Sequence, residues 1–199
     1  MNEASETPAT AGEVVTYSFR PSLIGAPQEF AVEPGALRWH VGSRAGRIPY
    51  RSIRRIRLSY RPATMQTHRF LMEIWAEGAP KLTIASTSWR TLVDQERQDS
   101  AYTTFVRALH RRLAEAGGKP ALRAGSPPLV YWPGVVVFLG MAVALPAIVI
   151  KNARGDALVA TLLVGAIVGA FLWQLGAFFW RNRPARYSAE TIPGALLPA

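Results

Sequence analysis

Residues 129–180 read LVYWPGVVVFLGMAVALPAIVI, then KNARGD, then ALVATLLVGAIVGAFLWQLGAFFW. The first and third pieces, Leu129–Ile150 and Ala157–Trp180, are uncharged apolar runs of 22 and 24 residues. A helix of about 20 apolar residues is long enough to cross the hydrocarbon core of a bilayer. The sequence therefore predicts transmembrane helices at 129–150 and 157–180, joined by an external loop at 151–156.

The regions on either side of this predicted hairpin differ from it in composition. Residues 1–13 are polar and predict a disordered leader, without the basic start and apolar stretch of a signal peptide. Residues 14–116 are long enough to form a small domain with its own core. Residues 117–128, rich in Gly, Pro and Ala, predict a linker to the membrane. The tail, 181–199, can fold back on the domain or on the membrane, and the sequence leaves its role open.

The basic residues near the apolar runs predict an orientation. Four precede the first run and three follow the second: Arg111, Arg112, Lys119, Arg123, Arg181, Arg183 and Arg186. The connection between the runs contains only Lys151 and Arg154. Because short cytoplasmic loops carry an excess of Lys and Arg, both termini are expected on the cytoplasmic side. This predicts a multi-pass protein of the cytoplasmic (inner) membrane.

Small residues within the two runs predict helix packing. Gly140 and Ala144 lie four positions apart in the first run, and Gly165 and Gly169 do so in the second. Small residues let helix backbones approach closely in lipid. These pairs therefore predict either closure of the hairpin or an oligomer interface. Gln174, the one side-chain amide in the runs, is expected to form an interhelical hydrogen bond.

Neither run contains an ionisable residue. Transport pathways and proton relays usually place charged groups within the membrane. The composition therefore favours an anchor over a transport pathway.

The domain begins with alternating apolar and polar residues, which predict strands. The turn signal Pro34-Gly35 predicts a hairpin between strands at 29–32 and 37–41. The period then changes, and residues 99–116 predict an amphipathic helix. Its apolar stripe comprises Tyr102, Phe105, Val106, Leu109 and Leu113.

Six or seven short strands followed by one helix resemble the bacterial pleckstrin-homology-like family. The resemblance covers about residues 14–116 and rests on Arg47-Ile-Pro-Tyr50, on Ile53, Ile56 and Leu58, and on the helical tract 101–110. It implies an α+β domain in which two antiparallel sheets form a small barrel closed by a C-terminal helix. Together with the hairpin, this is the expected fold. The family implies a scaffold and no particular ligand.

The basic residues of the domain are concentrated in one segment. Seven arginines lie between Arg44 and Arg61, with no acidic residue among them. Six are candidate binding residues: Arg47, Arg51, Arg54, Arg55, Arg57 and Arg61. They can bind anionic lipid headgroups or an acidic partner protein, or they can simply form a solvated strand face whose aliphatic stems cover apolar surface.

Motifs for other function classes are absent from the sequence. There is no cysteine, and the three histidines His40, His68 and His110 lie far apart. Without nucleophile, phosphate-loop or metal-ligand spacing, we expect no enzyme, no catalytic residue, no cofactor and no metal. No nucleic-acid recognition motif is present, so no nucleic-acid partner is expected.

These observations predict a membrane-anchored, cytoplasm-facing interaction or scaffold module, accessory to a membrane complex. Its expected partners are the lipid bilayer and either a membrane protein or further copies of this chain. The first alternative is a sensor of anionic lipid headgroups that uses the basic segment. A more distant alternative is an enzyme whose residues follow no recognised motif.

Overall fold

The structure is a computed structural model that describes residues 14–62, 68–91, 95–152 and 158–198. The predicted leader 1–13 and most of the predicted loop 151–156 lie outside these residues. The strands are β1 Val15–Phe19, β2 Gln28–Val32, β3 Ala36–Val41, β4 Arg44–Pro49, β5 Ile53–Pro62, β6 His68–Ala76, β7 Leu82–Ala85, β8 Thr87–Trp89, β9 Gln95–Arg97, β10 Ala121–Ala124 and β11 Ala185–Arg186. The helices are α1 Asp99–Glu115, α2 Pro128–Asn152 and α3 Leu158–Arg181.

The described residues of the domain form two larger sheets and one small one. Strands β1 to β4 form an antiparallel meander, which includes the predicted hairpin across Pro34-Gly35. The second sheet has the order β11-β10-β5-β6-β7, and β8 pairs with β9. Within the described residues the strands do not close into a barrel, because each larger sheet ends in unpaired edges. The structure therefore confirms a sheet-rich domain, but it shows no closed barrel in the described residues.

Alternation along the strands places one face of each larger sheet in a common core. On β5 and β6 the residues Ile56, Leu58, Met72 and Ile74 are fully buried. Helix α1 covers this core, and all five residues of its predicted apolar stripe are buried. The ring centroids of Tyr17 and Phe105, for example, lie 5.5 Å apart. The helix prediction for 99–116 is thus confirmed to within one residue.

The segment interpreted as a linker, 117–128, contains a strand. Strand β10 runs parallel to β5, with Leu122 opposite Ile56 and Ala124 opposite Leu58. Ala124 is buried and Leu122 packs against the core. Residues 121–124 therefore belong to the domain, because their apolar side chains join its core.

The tail also belongs to the domain. Strand β11 pairs antiparallel with β10, and a 3₁₀ turn at Gly194–Leu196 follows. Leu196 and Leu197 are part of the hydrophobic core. The tail therefore folds back on the domain and not on the membrane.

Helices α2 and α3, together called the apolar hairpin, are long and apolar enough to cross a membrane. Their apolar segments, Pro128–Lys151 and Val159–Arg181, have mean hydropathies of 2.4 and 2.0, and their most apolar windows are not buried. Since β10 precedes the hairpin and β11 follows it, the hairpin is inserted within the domain.

Candidate functional site at the junction of sheet and hairpin

The basic segment is divided between separate surfaces. Arg47 lies on β4 and contacts Glu33 at 3.1 Å. Arg51 follows β4 and donates from Nε to the Ala116 carbonyl at 3.1 Å. Arg54 pairs with Glu77. These three candidate residues already have partners, and they are not gathered at one site.

The remaining candidates share the outer face of β5. Arg55 and Arg57 lie 5.5 Å and 5.4 Å from the ring of Trp75 on β6, with Lys81 on the other flank at 5.0 Å. Arg57 is also 3.7 Å from Glu73. Arg61 is exposed and lies opposite Arg69 on β6. This outer face is therefore strongly basic, in contrast to the apolar face on the other side of the same strand.

Strand pairing adds two arginines that sequence reasoning did not select as binding residues. Arg123 on β10 lies directly opposite Arg57, and Arg186 on β11 lies directly opposite Arg123. Three arginines thus occupy one row across three neighbouring strands. Within the described part of the chain, neither Arg123 nor Arg186 forms an ion pair. Directly opposed like charges destabilise a sheet.

The row lines a cleft of ≈ 310 Å³ beside the start of α2, which we call the arginine cleft. Its lining comprises Arg57, Arg123, Ala124, Ser126, Pro128, Pro184, Ala185 and Arg186. Burial lowers the pKa of Arg57; Glu73 opposes this effect, and Arg55, Arg123 and Arg61 add to it. The site therefore combines concentrated positive charge with partial desolvation.

The cleft adjoins a hydrogen-bonded junction between sheet and hairpin. Asn182, directly after α3, is fully buried. Its Oδ1 accepts from the backbone N–H of Tyr60 at 3.0 Å, and its carbonyl accepts from the N–H of Ser126 at 3.0 Å. The N–H of Gly125 donates to the Leu58 carbonyl at 2.7 Å. Because buried backbone groups need partners, this network fixes the start of α2 and the end of α3 against β5.

Gly125 makes the close approach in this junction. Its φ is +75°, and a Cβ there would lie 2.5 Å from the Arg183 carbonyl oxygen and closer still to that of Asn182. Glycine is thus required both by the backbone conformation and by the space available.

The predicted helix-packing residues lie mostly on the outside of the hairpin. Gly140, Ala144 and Gly169 are exposed, and a Cβ at either exposed glycine would meet nothing within 4 Å. A Cβ at Gly165 would lie 3.6 Å from Val149. Gln174 is exposed and has no hydrogen bond within the described residues, so the expected interhelical bond is not formed in the single chain.

Among the glycines of the hairpin, Gly134 and Gly176 come closest to the opposite helix. A Cβ at Gly134 would lie 3.1 Å from Phe179, and one at Gly176 would lie 3.5 Å from Phe138. Phe179 also contacts Tyr131 and Phe138, with ring centroids 5.8 Å and 5.4 Å apart. The signal that could have found these contacts was a small residue facing an aromatic one, not a pair of small residues.

The tail forms a polar contact with α1. The Nε2 atom of His110 lies 2.9 Å from the Tyr187 hydroxyl, and Nδ1 lies 2.7 Å from the Val106 carbonyl. This fits a neutral ring that donates from Nδ1 and accepts at Nε2. Burial lowers the pKa of His110 and favours that neutral form, although the hydrogen bond to Val106 opposes the shift.

Comparisons with known proteins identify no relative. No protein-family model matches the chain, and neither a curated protein nor a solved structure matches it. Within the described residues there is also no group of three metal-ligating side chains. The candidate site therefore stands on its geometry alone.

Proposed function

We propose that this protein is a membrane-anchored interaction module, with a pleckstrin-homology-like domain facing the cytoplasm. In this proposal the apolar hairpin spans the cytoplasmic membrane, and both termini lie inside. The domain serves as a scaffold or accessory subunit of a membrane complex and carries out no catalysis. The two apolar helices and the Lys and Arg residues next to them support the placement.

One observation carries the proposal: the hairpin is inserted within the domain. A domain on a flexible linker samples many positions above a bilayer. Here β10 directly precedes the hairpin and β11 directly follows it. Asn182 accepts hydrogen bonds from the backbone N–H groups of Tyr60 and Ser126. The domain is thus held against the ends of its own membrane helices. Such an arrangement suits a module that presents a surface at a fixed height and angle.

The exposed arginines offer a surface for an acidic partner protein. The side chains of Arg47 and Arg54 are 69% and 66% exposed, although each has an acidic neighbour. The Arg54–Glu77 pair is exposed on both sides, and exposed ion pairs contribute only about 0–1 kcal/mol. An acidic partner can therefore replace Glu77 at little cost.

The alternative function, recognition of anionic lipid headgroups, is favoured by a different observation. Of the six candidates, Arg55, Arg57 and Arg61 share one sheet face, and that face continues to Arg123 and Arg186 beside the hairpin. A basic surface next to membrane helices is attracted to anionic lipid.

Affinity purification of the full chain from membranes, in mild detergent, tests the main proposal. We expect a partner in constant ratio, reduced in Arg47→Gln/Arg54→Gln. The matched control is Arg90→Gln/Arg111→Gln, which removes the same charge from arginines that also have acidic neighbours, Glu96 and Glu115. Recovery of the chain alone from several detergents would contradict the scaffold function.

A further inference from the structure

The arginine cleft brings together like charges on three neighbouring strands. Arg57, Arg123 and Arg186 are register partners across β5, β10 and β11. Glu73 neutralises Arg57 in part, but it is shared with Lys81. Within the described residues no acid pairs with Arg123 or Arg186. A row of this kind is stabilised when an anion binds it.

The cleft lies at the height of lipid phosphates if the hairpin spans a bilayer. The apolar run begins at Leu129, and Ser126 precedes it by three residues, which span at most about 10 Å of chain. The headgroup layer on each side of the hydrocarbon core is about 5–8 Å thick. On the other side of the hairpin, Pro184 follows the end of α3 at Arg181 by three residues.

We propose that the arginine cleft binds the phosphodiester of an anionic glycerophospholipid from the leaflet next to the domain. This rests on the membrane placement in the proposed function, but it needs no partner protein. The ligand chemistry is that of a phosphate oxyanion, which free phosphate shares, and the bilayer is the source to which the geometry points.

Each group in the cleft has a role in holding that oxyanion. The Arg123 and Arg186 guanidinium groups present planar donors that match two phosphate oxygens. Ser126 donates its backbone N–H to Asn182, which leaves its hydroxyl as a further donor. The N-terminus of α2 adds its positive dipole end, although Pro127 and Pro128 carry no N–H. Pro128 and Pro184 form the apolar wall on the hairpin side.

The test uses the full chain in phosphatidylcholine nanodiscs, with or without phosphatidylglycerol. Native mass spectrometry then counts the phosphatidylglycerol molecules retained by the protein. Relative to the unmodified chain, Arg123→Gln/Arg186→Gln is expected to weaken retention by roughly 10- to 30-fold, since each basic group near the surface contributes about a factor of five. Arg44→Gln/Arg107→Gln removes equal charge from exposed sites elsewhere and is expected to retain the lipid. Equal retention by the two variants would overturn the proposal.

A stability measurement distinguishes a binding role from a structural one. In detergent without anionic lipid, Arg123→Gln/Arg186→Gln is expected to raise the unfolding temperature, because it relieves cross-strand repulsion. A lower unfolding temperature would assign these arginines to folding and overturn the proposal. Inorganic phosphate is the second arm. If it stabilises the unmodified chain but not the variant, while phosphatidylglycerol is not retained, the lipid source is wrong.

Alkaline extraction of membranes separates this proposal from the proposed function. A chain that resists extraction but does not discriminate phosphatidylglycerol from phosphatidylcholine refutes only the cleft. A chain released by alkali refutes the membrane placement, and the lipid site with it.

Discussion

The two ends of the apolar hairpin are held in different ways. At the domain end, Asn182 and Gly125 join the helices to β5 through buried hydrogen bonds, and Phe179 packs between the helices. Near the other end, Gly165 approaches Val149 at an ordinary contact distance. Polar contacts outside the apolar segments therefore hold the hairpin against the domain, whereas the pairs Gly140/Ala144 and Gly165/Gly169 within them contribute less.

The largest expected effect is at the domain end. Gly125→Ala places a methyl group against two backbone carbonyls and is expected to destabilise the fold by about 3–5 kcal/mol. Gly42→Ala is the matched control, because its φ of +62° is similar but nothing lies within 4 Å; it is expected to cost about 1 kcal/mol. Thermal unfolding in detergent measures both. Equal losses of stability in the two variants would contradict a role for the close approach at Gly125.

The tail adds residues to the hydrophobic core of the domain, and a substitution at one of them tests this. Leu196 is 2% exposed, so Leu196→Ala is expected to cost about 2–5 kcal/mol. Ile24→Ala removes the same kind of apolar group from a fully exposed site and is expected to change stability by less than about 0.5 kcal/mol. Urea unfolding in detergent compares them. If Leu196→Ala does not lower the stability, the tail is not part of the core.

The contact between tail and α1 predicts a pH dependence. Because burial lowers the pKa of His110 below its ordinary 6.5, the unfolded chain binds the proton more readily. The stability contribution is therefore complete above pH 6.5 and is lost as the pH falls from there towards the folded pKa. His110→Gln is expected to flatten the fall of unfolding temperature on acidification. An unaltered slope in His110→Gln would contradict the assignment.

The smallest effects are expected in the middle of the hairpin. Gly140→Ala and Gly169→Ala each place a methyl group in open space, so their unfolding temperatures in detergent are expected to match the unmodified chain. Gly134→Ala, whose Cβ would lie 3.1 Å from Phe179, is expected to lower it. The reverse order would restore the small-residue pairs as the helix interface.

The parts of the fold that sequence could predict are those with local periodicity. The stripe from Tyr102 to Leu113 needs only helical spacing, and the apolar runs need only length. Strand β10 has four residues between Gly- and Pro-containing segments, and its pairing with β5 joins positions 66 residues apart. No local pattern encodes such a contact.

The sequence predicts that the candidate site is basic, but it does not predict where in the fold the site lies. The dense basic segment marks Arg57 as a candidate, whereas the sequence indicates Arg123 and Arg186 only as orientation signals beside the apolar runs. Their alignment with Arg57 follows from strand register across three separate parts of the chain. Conversely, Arg47 and Arg54 are close to Arg57 in sequence, but Arg47 lies on the other sheet and Arg54 pairs with Glu77 away from the row.

If the hairpin is inserted within the domain, β10 and β11 must pair across it. The chain has no cysteine, so Ala124→Cys/Ala185→Cys introduces the only two thiols, at register partners. A site-specific protease sequence placed between α2 and α3 allows the two halves to be separated. After oxidation in membranes and cleavage, we expect the halves to remain joined on a denaturing gel until they are reduced, whereas Ala124→Cys/Ala189→Cys halves separate. Separation of the Ala124→Cys/Ala185→Cys halves without reduction would contradict this insertion.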